Sequence, residues 1–327
     1  MLGFAQIFAS RLVKAAVILI AIVVMNFFLV HAAPGDPAMV MAGEAGAADE
    51  KFVTQLREQF GLDRPILEQL GTYVGKVVQG DLGFSYRQQR PVWDILAERL
   101  PATLVLTLTA FLLALALGVA LGTLAAVTVG TWADSAITVV ALLAYATPIY
   151  WIGLMLSLLF SIQLGWLPAF GYETIGAGYT GLAHVADVAK HLILPVITLA
   201  LFYMASYARL TRASMLEVRG LDFIKTAKAK GLSQGRIVTR HVLRNAILPV
   251  ITVAGIQAGQ LVGGSILIET VFAWPGIGRL AFEAVLQRDY QVLLGIFLVT
   301  SIMVILFNIL TDILYGLVDP RIQVSQW

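Results

Sequence analysis

LPATLVLTLTAFLLALALGVALGTLAAVT, residues 100–128, carries no charged side chain over its whole length. An apolar run of about 18 residues or more is long enough to cross the hydrocarbon core of a bilayer as a helix. Further runs of this kind lie at about 134–161, 191–212, 246–268 and 290–316, and an earlier one at Ala15–Val30. Six spans are therefore expected, in an all-α polytopic membrane protein. The composition agrees: 59% of the 327 residues are hydrophobic and 13% charged, against about 25% charged in soluble domains. A transmembrane barrel would alternate polarity in short segments, and this chain does not. Thr147-Pro148 in the third run and Pro195 in the fourth are expected to kink their helices or mark their ends.

The first run follows Arg11 and Lys14 and precedes Ala32 and Ala33, which also fits a signal peptide with a small-residue cleavage site. Arg11 and Lys14 can snorkel, however, and so extend the helix back to about Phe8. We read it as a retained first span. Residues 31–98 form a hydrophilic insert with ten Asp or Glu against six Lys or Arg. Phe52, Leu56 and Phe60 recur every four residues before Gly61, a natural helix terminator. Asp63 can then cap a helix opening near Pro65, with Ile66, Leu70, Tyr73, Val74 and Val77 on one face. The insert reads as folded.

Charge orients the spans. The stretch 209–245 holds nine Lys or Arg against Glu217 and Asp222, and with Arg11, Lys14 and Arg321 it falls on one side. The acidic insert and the 162–190 and 269–289 loops fall on the other. Positive-inside bias puts both termini in the cytoplasm, which only an even number of spans permits.

Ionisable residues within the spans mark ion or proton paths, and they are scarce: Asn308 and Asp312 lie four apart in the last span, Asp312 near its cytoplasmic end, and Asn26 sits in the first. An ion-coupled carrier would show more, with inverted repeats and interrupted helices. Ala110, Ala114, Gly118 and Gly122 form a ridge of small residues, as do Gly255, Gly259 and Gly263. Such ridges let helices approach closely. Intrachain packing explains the first ridge. Beside the second, Gln257 and Gln260 need polar partners, so a translocation path or a subunit seam are both open there.

Catalytic signatures are absent: no HExxH, no GxSxG and no cysteine. His184 and His191 share one loop but lack a third ligand for a metal. Gly75-Lys76 has neither the first glycine nor the Ser or Thr of a phosphate-binding loop. No cofactor site is expected in the chain.

One segment does not fit a membrane. KTAKAKGLSQGRIVTRHVLRNAILPV, Lys225–Val250, carries six Lys or Arg before Asn245 and no acid. It reads as a short helix over Phe223–Lys230 with Phe223, Ile224 and Ala227 on one face. Gly231 supplies a left-handed terminator, and Ser233 can cap the next helix. A positive-inside anchor on anionic lipid is one reading; docking of a small apolar helix face into a groove of a cytosolic partner is the other.

The segment resembles the cytoplasmic coupling loop of ATP-binding-cassette importer permeases, whose pattern is Glu-Ala-Ala, three residues, then Gly. Here it reads Lys225-Thr226-Ala227, then Gly231, matching at the Ala and Gly and departing at the first two positions. PGDP (34–37), GLDRP (61–65), GDLGFS (80–85), ERLPATL (98–104), LGWLPAFG (164–171), AKGLS (229–233), VFAWPGIGRL (271–280), RDY (288–290) and VDPR (318–321) resemble the dipeptide/oligopeptide/nickel branch, in its first permease-subunit type.

The resemblance implies a type I importer transmembrane domain over 99–318 with its coupling loop at about 213–245. Ahead of it, residues 1–98 would hold the first helix and an extracytoplasmic helical insert; 319–327 would be a cytoplasmic tail. The chain would be a multi-pass subunit of a bacterial cytoplasmic (inner) membrane, not an enzyme. It implies as partners the bilayer, a homologous second permease, an extracytoplasmic substrate-binding protein and two cytosolic ATPases carrying the ATP and Mg, with no nucleic acid. Phe223, Ile224, Lys225, Thr226, Ala227, Lys228, Gly231, Leu232 and Ser233 would couple to the ATPases, with Thr226 and Ala227 at the contact. Gln257 and Gln260 are candidates for the translocation path. Trp274, Pro275 and Gly276 are candidates for contact with the binding protein, or form a structural re-entrant turn. The cargo implied is di- or oligopeptides, with nickel chelates, glutathione or other small solutes as alternatives in the same class. An ATP-independent channel or ion-coupled carrier is the reading from a different class.

Overall fold

The computed structural model describes residues 2–32, 37–44, 49–60 and 63–318. In chain order the elements are α1 (Leu2–Ala32), α2 (Pro37–Glu44), α3 (Glu50–Phe60), α4 (Ile66–Val78), a hairpin of β1 (Phe84–Ser85) and β2 (Arg90–Pro91), and α5 (Val92–Val127). There follow α6 (Trp132–Ala146), α7 (Ile149–Ser157) running into a π-helical turn (Leu158–Gln163), α8 (Gly181–Arg219), α9 (Asp222–Ala229) and α10 (Gln234–Arg236). A second π-helical turn (Ile237–Leu243) leads into α11 (Arg244–Gly264), and α12 (Ile266–Val271), α13 (Ile277–Gln287) and α14 (Tyr290–Val318) complete the described residues.

Among the described residues, four helical segments have the length and apolarity of a membrane span: Val92–Val127, Gly181–Arg219, Gln234–Gly259 and Tyr290–Thr311. A fifth is the bent pair Trp132–Ala146 and Ile149–Gln163, whose halves meet at 104°. The break falls at Thr147-Pro148, as expected, because proline drives the residue before it out of the helical region; Thr147 is extended, with φ −83° and ψ 134°. The apolar part of α1, Val13–Leu29, is shorter than a full span, so length and apolarity alone give four or five spans where six were expected. Of the two alternatives for Pro195, the helix end is excluded: α8 continues through it.

The chain divides into two compact units. One comprises Met1–Pro101 and Arg279–Ile305. Within it, α4 lies on α1, with the Phe27 and Tyr73 rings 5.9 Å apart and His31 Nε2 3.0 Å from Gln69 Oε1. Leu70, Tyr73, Val74 and Val77 are half-buried, whereas Ile66 is exposed. Asp63 does not cap α4; the N-cap is Pro65, whose carbonyl accepts from Glu68 N and Gln69 N. Gly61 and the side chains of Leu56 and Phe60 lie outside the described residues. The hairpin is tied to the start of α14. Ser85 Oγ donates to Asp289 Oδ2 at 2.5 Å, both residues fully buried, and Val292 N donates to Asp289 Oδ1 at 3.2 Å. One turn on, a Cβ at Gly295 would stand 2.6 Å from Val92 Cγ1, so α5 and α14 touch through a bare backbone.

The other unit comprises Ala102–Gly278 and Leu306–Trp327. Its helices cross at the small residues of α5. Ala110 and Ala114 are fully buried, a Cβ at Gly118 would stand 2.5 Å from Tyr207 Cβ, and one at Gly122 would collide with the Ala208 carbonyl. The first small-residue ridge is therefore the seam between α5 and α8. The Tyr207 hydroxyl and Thr211 Oγ1 in that seam have no hydrogen-bond partner.

Candidate functional site

The basic segment takes its shape from α8. That helix ends at Arg219; Gly220 N and Leu221 N still bond back to Glu217 O and Val218 O, and Leu221 then turns extended to launch α9. Asp222 stands in the first turn of α9, where negative charge suits the helix dipole. Its 2.8 Å pair with Lys225 is fully solvated and contributes little. Two residues face inward, Ile224 at 1% and Ala227 at 6% exposure, one turn apart. They pack with Ala126 of α5, Met215 of α8, Ile237, Val238 and Val242 of the π-helical turn, and Ala246 of α11.

The end of α9 is a Schellman motif. Gly231 N donates to Lys228 O at 2.9 Å and Leu232 N to Ala227 O at 3.4 Å, with Gly231 at φ +75°. Leu232 packs on the same cluster as Ala227, which is the apolar contact that accompanies this motif. Gly231 therefore terminates the helix as its sequence position suggested. Ser233 occupies the next N-cap in an extended conformation, although its side chain makes no capping bond. The π-helical turn then presents Ile237 and Val242, five residues apart, to the same cluster.

The outward face is thereby defined. Asp222, Phe223, Lys225, Thr226 and Lys228 are exposed on α9 and Lys230 at its C-cap, followed by Ser233, Arg236 and Arg240. This corrects the expectation that Phe223, Ile224 and Ala227 share a docking face with Ala227 at the contact. Ile224 and Ala227 hold the helix to its own chain, and Phe223 stands apart at 42% exposure. What remains for a partner is a rigid cationic helix with one aromatic side chain, fixed at both ends to long apolar helices.

The other candidates fall elsewhere. Gln257 is half-buried on α11 and its Oε1 has no hydrogen-bond partner; the side chains of Gln260 and Asp312 lie outside the described residues. A Cβ at Gly255 would collide with Thr311 Cγ2, so at this position the second ridge serves packing of α11 against α14.

Trp274 and Gly276 do not reach outward, and that reading of the turn is corrected. Trp274 is fully buried, its Nε1 donates to Ala102 O at 2.8 Å, and its ring lies 4.9 Å from that of Tyr172. Behind it sits Glu269, also fully buried: Thr103 Oγ1 and Ser265 Oγ donate to Oε1 at 2.8 and 2.9 Å, and Ile277 N donates to Thr103 Oγ1 at 2.7 Å. A Cβ at Gly276 would collide with the Glu269 carboxylate. The Trp-Pro-Gly turn is therefore a structural turn wrapped around a buried acid, with Pro275 half-buried at its edge. The buried acid carried no motif in the sequence reading; its nearest signal was an acidic residue directly following an apolar run. His184 lies 3.1 Å from Glu173, and His191 Nδ1 2.9 Å from Asp187 O. Among the described residues no three His, Cys, Asp or Glu are arranged to hold a metal.

Two family models match the chain: the binding-protein-dependent transport system inner membrane component over residues 118–324, and the N-terminal component of such systems over residues 4–107. The dipeptide transport system permease protein DppB of Escherichia coli K12 is 41% identical over 323 residues, covering 93% of this chain and 94% of the relative. The glutathione transport system permease protein GsiC of E. coli O6:H1 is 41% identical over 314 residues, 96% of this chain and 97% of the relative. The oligopeptide transport system permease protein AppB of Bacillus subtilis is 38% identical over 316 residues, 96% and 98%. Among solved structures, the inward-facing MetNI methionine ABC transporter matches with a TM-score of 0.55 at 18% identity, over 69% of this chain and 96% of that one. This likeness bears on the fold alone. With α9 held between two apolar helices and both family models matched, the chain belongs to the inner membrane components of binding-protein-dependent transport systems, and it is a multi-pass permease subunit of an ABC importer.

Proposed function

We propose that this chain forms half of the pathway of an ATP-driven importer of di- or oligopeptides in the bacterial inner membrane. The observation that carries the reading is α9: a short helix, anchored by Ile224 and Ala227 and closed by Gly231, that offers Phe223, Thr226 and a row of lysines outward, with Asp222 paired to the first of them. The peptide cargo follows the dipeptide and oligopeptide permeases among the relatives. The equally similar glutathione permease supports glutathione as a second cargo.

In this reading α1, the bent pair and the four long segments make six spans, with both termini cytoplasmic as the charge distribution favours. The coupling loop at about 213–245 faces the cytosol, and 31–98 forms an insert on the opposite face. A second homologous permease completes the pathway, two cytosolic ATPases bind ATP and Mg, and a binding protein delivers the cargo. ATP binding drives transport by favouring one permease conformation over another. Phe223, Lys225, Thr226, Lys228 and Ser233 meet the ATPase, while Ile224, Ala227, Gly231 and Leu232 hold the helix in shape. Gln257, with its unpartnered carbonyl, and Gln260 line the path. Pro275 and the exposed part of 269–289 remain candidates for the binding-protein contact.

The test is purification through a tag on this chain, followed by uptake into vesicles of a labelled dipeptide in competition with glutathione and a nickel chelate. Co-purification of a second permease and Walker-motif ATPases, with ATP-dependent uptake suppressed by peptides, is the expected result. Uptake indifferent to ATP would overturn the importer reading, and suppression by glutathione alone would replace the cargo.

A further inference from the structure

The coupling helix is packed against more than the two spans that flank it in sequence. Its inward cluster includes Ala126, at the end of α5, and the Ala126 carbonyl accepts a hydrogen bond from Arg219 Nη1 at the end of α8. Four residues beyond Ala126 the chain turns at Gly130, φ +82°, and enters α6. There Asp134, 6% exposed, accepts two hydrogen bonds from one guanidinium: Arg212 Nε to Oδ1 at 2.6 Å and Arg212 Nη2 to Oδ2 at 2.8 Å. Gly130 N also donates to Oδ2, at 3.1 Å. A two-pronged pair of this kind fixes distance and orientation together, which a lysine could not do.

The same two helices meet again further along. Tyr145 of α6 stacks on Phe202 of α8, with centroids 5.8 Å apart and planes at 12°, and Arg209 lies over the Tyr145 ring at 4.4 Å. So α6 runs antiparallel to α8 and is joined to it at two levels, the nearer one eight residues before α8 gives way to the turn into α9.

We propose that Asp134 and Arg212 are positioning residues that clamp α6 to α8, so that a displacement of the coupling helix is carried into the bent pair α6–α7. Without the clamp, α6 would follow α8 only through the Tyr145 stack at its far end; with it, the end of α6 nearest α9 follows directly, and motion passes along α6 to the break at Thr147-Pro148. This rests on α9 being the coupling helix.

The experiment uses the transporter purified with its partner subunits in vesicles, with labelled dipeptide as the probe and both ATP hydrolysis and import recorded. Asp134→Asn and Arg212→Gln are expected to hydrolyse ATP normally while import per ATP falls about fivefold or more, the scale of a typical coupling free energy. Arg212→Lys is expected to lie between. A pair that only stabilised the fold would lower protein amount and both activities alike, leaving their ratio unchanged. The chain contains no cysteine, so Asp134→Cys with Arg212→Cys provides one addressable pair in it. That double variant is expected to lose import per ATP, and bridging the thiols with a short bifunctional methanethiosulfonate is expected to restore at least half. Native import per ATP in the single variants would overturn the clamp. So would a bridge that blocks import, because the two helices would then have to part during the cycle; where single variants do not accumulate, the bridged pair decides. If the native transporter itself shows no ATP-dependent import, the fault lies with the importer reading and not with the clamp.

Discussion

Replacing Gly231 with alanine separates the backbone demand at the end of α9 from any packing demand. At φ +75° the residue sits in the left-handed region, and a Cβ built there meets no atom within 4 Å. The cost is therefore conformational only, about 1 kcal/mol for a single L-residue held left-handed. Two hydrogen bonds depend on that conformation, Gly231 N to Lys228 O and Leu232 N to Ala227 O. Their opening is local, so the penalty should appear as a shift in local opening and not in global stability. A loss of 1 kcal/mol raises the open population about fivefold. Hydrogen exchange at the Leu232 amide is the assay, with an amide deep in α8, such as that of Leu199, as the internal control. The expected result is about fivefold faster exchange at Leu232 in Gly231→Ala, a smaller change in Gly231→Asn, and none at Leu199. Unchanged exchange at Leu232 would refute the reasoning, since the helix end would then tolerate a right-handed residue and the Schellman bonds would not hold it.

Four further outcomes follow from burial. Ala227→Trp should cost about 1–3 kcal/mol by overpacking the cluster around Ile224 and Ile237, seen as a lower melting temperature in detergent. Thr226→Trp on the exposed face should leave melting unchanged and reduce ATPase co-purification. Glu269→Ala should cost about 1–3 kcal/mol by removing the carboxylate to which the Thr103 and Ser265 hydroxyls donate; melting equal to the native protein would show that these bonds carry no stability. Ser85→Ala removes the donor to the buried Asp289 and should cost about 1–3 kcal/mol, since the carboxylate keeps only its backbone partner at Val292. Limited proteolysis at the hairpin should then accelerate.

What was legible in the sequence follows from which constraint acted on it. A bilayer imposes its thickness on every span, so the long runs could be placed from composition alone, and proline's missing N–H made the break at Thr147-Pro148 readable. Gly231 was readable for the same local reason. The faces of α9 were not, because an alanine in a short helix serves equally well as a notch for a partner or as room for a close neighbour. Only the neighbours gathered from α5, α8 and α11, such as Ala126 a hundred residues away, decide that Ala227 is the second. Trp274 poses the same problem: a Trp-Pro-Gly turn specifies a bend but not which side of it is wet. The buried acid Glu269 explains why this turn faces inward, since Gly276 must pass against its carboxylate without a side chain.

The π-helical turn at Ile237–Leu243 left a trace that a periodicity of 3.6 obscures, for Ile237 and Val242, like Val238 and Leu243, lie five residues apart. The extra residue lets four apolar side chains on this short stretch reach the cluster that holds α9. Asp134 and Arg212 were the least visible of all, one acid at the mouth of a span and one arginine among nine basic residues. Nothing local distinguishes them. In the proposed orientation both helix ends lie on one side of the membrane, and a buried acid there needs a partner. Arg212 answers that need from α8, two turns before that helix ends.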